Sequence, residues 1–218
     1  MGDPPRAPRL IPPRSLFERP APAVAPLLLN ALLTHRTADG DVTVRLTEVE
    51  AYQGQGEDPG SHADRGRGRR NAVMFGPAGH LYTYFTYGMH TCANVVCLPE
   101  SLAAGVLLRA GELVDGVVLA RSRRASARSD AELARGPARL AVALGITLAD
   151  GGADLLDPAG PFTLQLAAAP PPFATGPRTG VGGVAGTEAY PWRFFLPGEP
   201  TVSPYRPHAG ARRRTTAR

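Results

Sequence analysis

The chain has 218 residues, a formal net charge of +5 and a sequence pI of about 9.8. That length fits one sizeable core, and the basic balance favours a polyanionic partner, most simply nucleic acid. No segment reads as a secretory signal or a membrane span: the apolar run from Ala25 to Leu33 is short and carries Pro26 and Asn30.

Residues 1–13 are rich in Pro and Arg and read as a loose end, as does the basic stretch 208–218, leaving 14–207 as a single domain. Residues 22–33, PAVAPLLLNALL, predict a short buried helix. An Asp39-Gly40 turn followed by alternating apolar residues predicts a hairpin whose second strand covers 41–50. On that strand Val42, Val44 and Leu46 share a face with Glu48, Glu50 and Tyr52 if the alternation holds. An apolar face that turns into two carboxylates and a tyrosine suits a pocket at the strand's end, since burying an unpartnered carboxylate costs several kcal/mol. An edge strand reaching solvent is the plainer alternative.

Residues 53–72 form a polar, Gly-rich, basic loop whose acids, Glu57, Asp58 and Asp64, read as solvated. The spacing of His62 to these acids matches no tight metal pattern, so no metal site is expected. Strands follow at 79–87, 89–98 and 104–110, consistent with an antiparallel meander. The first holds Tyr82, Tyr84, Phe85 and Tyr87 close to the RGRGRR run at 65–70. Aromatics beside a basic loop are what base stacking and phosphate contact require. Tyr87, just before Gly88, sits where a turn can expose it as a wedge. Asn94 lies in an otherwise apolar strand and must satisfy its amide. Arg109 closes the run VLLR and can pair with a carboxylate or a phosphate.

Residues 111–145 read as helical, with Gly136-Pro137 starting a second helix that ends near Gly145. Residues 146–175 show little periodicity, and 192–198 read as a last strand. Strands and helices in separate runs predict an α+β fold with an antiparallel sheet. Cys92 and Cys97 fall on opposite faces of one strand and read as reduced, in a cytoplasmic protein. All 24 basic residues are Arg, so no lysine amine is present for Schiff-base chemistry.

Taken together, TEVEAY (47–52), SHADRGRGRRNAVMFGPAGHLYTYFTYGMHTCANVV (61–96), GVLLRA (105–110), GPARLAVALGI (136–146), PRTGVG (177–182) and WRFFLPGEPTVS (192–203) resemble the alkyladenine (3-methyladenine) DNA glycosylase family. The resemblance covers nearly the whole chain. It implies a single domain built round a curved, open barrel-like antiparallel sheet with peripheral helices, and neither metal nor cofactor. It implies a monomer that excises alkylated or deaminated purines, of the 3-methyladenine and hypoxanthine type, from double-stranded DNA in base excision repair. Such an enzyme works without a membrane, in the cytoplasm on the nucleoid. By position, Glu50 activates water; Tyr52, His62 and Tyr84 line the base pocket; Tyr87 fills the gap left by a flipped nucleotide; Asn94 opposes a purine 2-amino group. Arg109 contacts the DNA backbone near the lesion, and the basic loop offers Arg70 for the same purpose. The competing readings are a non-catalytic nucleic-acid-binding module of the same fold, a metal-dependent hydrolase using Glu48, Glu50 and His62, and a tRNA- or nucleotide-modifying enzyme. Glu48 has no assigned role.

Overall fold

The computed structural model describes residues 9–86 and 88–209. Nine strands and three α-helices are described. The strands are β1 (Arg9–Leu10), β2 (Leu32–Thr37), β3 (Gly40–Tyr52), β4 (Leu81–Thr86), β5 (His90–Cys97), β6 (Ala104–Asp115), β7 (Phe162–Ala167), β8 (Ala174–Gly176) and β9 (Arg193–Phe195). The helices are α1 (Ala21–Leu28), α2 (Val117–Arg123) and α3 (Pro137–Leu144). The sheet runs β1-β7-β2-β3-β6-β5-β4, with β9 added to β3 and β8 to β9, and all its pairings are antiparallel. The two ends of this path stay unpaired with each other, so the sheet is open and the fold is α+β.

β3 is the trunk. One edge pairs with β2 over its first half and with β9 over its second, while β6 follows the other edge throughout. α1 and α3 cover one face of the sheet. Val24, Leu28, Leu140 and Leu144 from the helices join Val44, Leu46, Val49, Val95 and Leu108 from the strands in one buried cluster. The opposite face carries a smaller cluster under the long loop, including Ala63, Met74, Tyr82 and Val96.

The even alternation expected along β3 breaks in its middle. The register steps from Leu46 opposite Gly111, to Glu48 opposite Ala110, to Val49 opposite Leu108. Thr47 on one strand and Arg109 on the other are thereby skipped. A bulge of this kind inverts the facing of everything beyond it. Val42, Val44 and Leu46 enter the core, and after the bulge it is Val49 and Ala51 that do so. Glu48, Glu50 and Tyr52 therefore project from the face opposite the apolar row, instead of continuing it.

Other boundaries also shift. The helix expected over 22–33 stops at Leu28. Leu29 is extended, and Asn30 takes a φ of 64°, turning the chain so that Leu32 and Leu33 enter β2. Residues 111–115 extend β6 instead of starting a helix, because they remain paired with β3. α2 begins only after Gly116, at φ 69°, where a Cβ would run into the Asp41 carbonyl and the Val42 backbone. α3 lies where the Gly136-Pro137 start and Gly145 stop place it, with Gly145 at φ 73°. β7 was not foreseen: its Phe162, Leu164 and Leu166 alternate into the core. Arg9 and Leu10, inside the stretch read as loose, pair with β7. Cys97 is in the core and Cys92 on the other face, both free. Among the described residues no helix is long and apolar enough to cross a membrane.

Gly116→Ala therefore combines a left-handed backbone with a direct collision. The expected outcome is a loss of at least about 1 kcal/mol, read as a lower midpoint at unchanged slope in urea unfolding.

Candidate active site

The face of β3, β6, β5 and β4 that points away from the helices floors a cleft of about 930 Å³. Strand alternation decides which residues reach it. Glu50 and Tyr52 come from β3, Leu107 and Arg109 from β6, Cys92 and Asn94 from β5, and Tyr82 and Tyr84 from β4. The loop adds His62, and the 177–182 turn adds Thr179.

Both carboxylates of β3 are fully buried, and their surroundings differ. Glu48 accepts from Arg109 Nε at 2.9 Å, from Arg193 Nε at 2.5 Å and from the Ser203 N–H at 2.7 Å. Two guanidinium groups and a backbone amide thus neutralise it. Glu50 accepts from the Thr179 N–H at 2.7 Å and from the Tyr52 hydroxyl at 3.0 Å, with Arg109 Nε at 3.5 Å. Burial pushes the Glu50 carboxyl above its ordinary range, and Glu48 adds to this; Arg109, the Thr179 amide and Tyr52 pull the other way without cancelling it. Of the pair, Glu50 is the one that lines the cleft, and its proton affinity is raised.

The walls are aromatic. Tyr82 and Tyr84 stack at 5.7 Å, and His62 meets Tyr84 edge-on at 4.5 Å. His62 Nδ1 lies 3.1 Å from the Tyr82 hydroxyl. Partial burial, and secondarily Arg70, lower the His62 pKa, which favours a neutral ring. Burial raises the phenols of Tyr52 and Tyr84, and carries Tyr82 to about 12, so all three stay protonated. Asn94 is buried and donates from Nδ2 to the Tyr82 carbonyl at 3.2 Å.

Beneath Tyr52 lies a feature the sequence reading missed. Arg178 and Asp58 are both fully buried and form a two-pronged pair at 2.6 and 2.7 Å. Arg178 also donates to the carbonyls of Ala51 and Ala185, and its guanidinium lies 4.5 Å from the centre of the Tyr52 ring. Asp58 accepts from the Gln53 and Gly60 amides. The expectation that the loop acids are solvated is therefore corrected for Asp58, whose partner is 120 residues away in sequence. Arg178 directly precedes Thr179, so the same pair fixes the amide that holds Glu50.

Six of the predicted residues, Glu50, Tyr52, His62, Tyr84, Asn94 and Arg109, line this one cleft. Arg70 instead lines an adjoining hollow of about 590 Å³ with Arg65, Arg67 and Arg69, and reaches the Phe85 carbonyl at 3.3 Å. Asn71 ties that loop together through the carbonyls of His62 and Gly66 and the Gly68 amide. Arg109 sits in the cleft floor with its Nε held by Glu48, instead of on the outer surface. Tyr87 lies outside the described residues. Arg193, Ser203, Arg178 and Thr179 went unassigned in the sequence reading, although PRTGVG and WRFFLPG marked their neighbourhoods. Among the described residues, no group of three or more His, Cys, Asp or Glu side chains is arranged to hold a metal ion.

A buried carboxylate below a ring of neutral aromatics, edged by arginines, defines an enzyme-type cleft suited to a flat heteroaromatic group on a polyanionic chain. The comparisons agree with this class. The family model described as methylpurine-DNA glycosylase matches residues 15–200, and the chain belongs to that family. Proteins carrying the name "Putative 3-methyladenine DNA glycosylase" are 59% identical over 201 residues in Leifsonia xyli subsp. xyli, covering 90% of this chain and 93% of that one. In Streptomyces avermitilis the identity is 56% over 205 residues, covering 93% and 95%. In Burkholderia lata it is 47% over 205 residues, covering 93% and 96%.

Replacing Arg178 by Met leaves the Asp58 carboxylate buried without its partner. The expected loss is about 3–5 kcal/mol in urea unfolding. Glu48→Gln, which removes the charge shared by Arg109 and Arg193, is expected to destabilise in the same direction.

Proposed function

We propose that the protein is a monofunctional DNA glycosylase. It hydrolyses the N-glycosidic bond of alkylated or deaminated purines, of the 3-methyladenine or hypoxanthine type, flipped out of duplex DNA. The observation that carries this reading is Glu50: a fully buried carboxylate of raised pKa, fixed by Thr179, Tyr52 and Arg109 at the floor of an aromatic cleft. A non-catalytic binding module has no use for such a group.

Extrusion of the nucleotide costs a few kcal/mol, and less for a damaged base. Tyr87, which precedes Gly88 in the sequence, fills the vacated space. The rings of Tyr52 and Tyr84 receive the purine, and their π faces favour one carrying positive charge. Asn94 disfavours purines with a 2-amino group. As the glycosidic bond breaks, the base leaves with the bonding pair and the sugar gains oxocarbenium character. Glu50 stabilises that charge and takes a proton from the water whose oxygen bonds to C1′. With no lysine in the chain, water is the nucleophile and strand cleavage through a lysine imine does not follow. Arg70 and its loop neighbours hold DNA phosphates, and the enzyme acts as a monomer on the chromosome.

The test is release of free base from duplexes carrying 3-methyladenine, hypoxanthine or ethenoadenine. Wild type releases base and Glu50→Gln loses at least about 100-fold in rate while still binding the duplex, as expected for a general base. Wild type that binds but releases nothing means a binding module. Borohydride trapping of a covalent adduct with wild type overturns the monofunctional reading.

The pH dependence has a defined sign. Glu50 must be ionised to take the proton, so the rate falls as pH drops through its pKa. Because that pKa is raised, the acid limb lies above the range of an ordinary glutamate. Tyr52→Phe removes a hydrogen bond to the ionised form and moves the limb to still higher pH in single-turnover profiles. The same shift makes ionised Glu50 a burden on folding: the penalty is absent below the ordinary glutamate pKa and fully present above the raised one. Glu50→Gln is therefore expected to melt no lower than wild type at neutral pH.

A further inference from the structure

Four arginines outside the machinery described so far line the cleft itself: Arg124, Arg135, Arg139 and Arg206. Different elements deliver them. Arg124 caps α2, Arg135 lies just before the Gly136 N-cap of α3, Arg139 lies in its first turn, and Arg206 belongs to the C-terminal segment. They are fixed beside the chemistry. Ala110 and Arg135 form a β-bridge, and the Gly111 amide donates to the Ala134 carbonyl at 3.2 Å, so Arg135 is pinned to the residue after Arg109. The Arg206 carbonyl accepts from the Gly180 amide at 2.9 Å, next to Thr179.

Arg14, Arg45, Arg109, Arg121, Arg123, Arg178 and Arg193 all lie within ion-pairing distance of a carboxylate. Among the described residues, these four share with Arg19, Arg36, Arg65, Arg67, Arg69, Arg70 and Arg128 the lack of a carboxylate partner, but unlike those seven they line the cleft. Arg124 and Arg135 use only Nε, on the carbonyls of Leu133 at 3.3 Å and Val202 at 2.9 Å. Burial and then the neighbouring Arg139 weaken Arg124's hold on its proton, and Glu132 offsets them in part. A solvated charged rim is the ordinary explanation of surface arginines. Arg139 and Arg206 are exposed, but Arg124 and Arg135 are half-buried and all four line one concave wall, where like charge is self-repelling until an anion enters.

We propose that Arg124, Arg135, Arg139 and Arg206 form a phosphodiester-binding bank for the strand that carries the damaged nucleotide, separate from the Gly-Arg loop in the adjoining hollow. Planar guanidinium groups with free Nη atoms match phosphate oxygens in pairs. The inference rests on the glycosylase reading only in taking duplex DNA as the polyanion.

The test measures equilibrium binding of a duplex with a non-cleavable abasic-site analogue across salt concentrations. Each lost phosphate contact lowers the slope of log affinity against log salt by about 0.9. Arg139→Gln is expected to lower it by that amount, and Arg135→Gln/Arg139→Gln by about 1.8. Between 50 and 200 mM salt, the double variant then loses about 12-fold less affinity than wild type. Arg139 forms no side-chain hydrogen bond or ion pair among the described residues, so its variant should melt like wild type; Arg206→Gln serves if it does not. Arg121→Gln, which removes an arginine paired with Asp130 outside the cleft, should leave the slope unchanged. A double variant with the wild-type slope overturns the bank, as does an equal loss from Arg121→Gln. Base release by wild type is scored separately: its absence overturns the glycosylase reading and leaves the slope comparison intact.

Discussion

A carboxylate taken out of water must be neutralised by neighbours or hold its proton more tightly. β3 buries two of them, two residues apart, and the surrounding structure gives them opposite treatments. Glu48 receives two guanidinium groups and an amide. Glu50 receives an amide, a phenol and a more distant share of Arg109. Because Arg109 is held by Glu48, it cannot close fully on Glu50 and quench it. Two like residues with divergent environments are a common way to divide structural and chemical work. It also answers why TEVEAY carries two glutamates: one holds the arginine that tunes the other.

The same logic explains the long loop. A segment of about twenty residues without strand or helix is usually mobile or functional. Here Asp58 and Asn71 give it internal order: Asp58 anchors it to Arg178 under Tyr52, and Asn71 ties the basic part to His62. Tyr52, the Glu50 amide contact and the start of the loop therefore meet at one buried ion pair. Such pairs contribute little net stability compared with an apolar filling, but they specify geometry, because half a pair is strongly unfavourable.

How much was legible in the sequence follows from the range of each interaction. The β2–β3 hairpin, the aromatic strand, the meander and the limits of α3 came from local rules: turn residues, alternation and helix stops. β7 was missed: the alternation of Phe162, Leu164 and Leu166 was masked by the surrounding Ala, Pro and Gly. Pairing with β3 decided that 111–115 is strand, and a backbone turn at Asn30 ended α1 early; neither is a local preference. The site lining was predicted by resemblance more than by spacing. What supports it was not: Arg178 with Asp58, and Arg193 with Glu48, are separated by more than a hundred residues, and only the fold brings them together.

The bulge at Thr47 has one more consequence. Were β3 to pair evenly with β6, Glu48 and Glu50 would turn toward α1 and α3, and two charges would enter an apolar core. That alternative is expensive enough to be unpopulated, so the acidic residues themselves forbid the register slip. The pair that serves the cleft thus also acts as a counterweight during folding, selecting the one strand alignment in which the cleft exists.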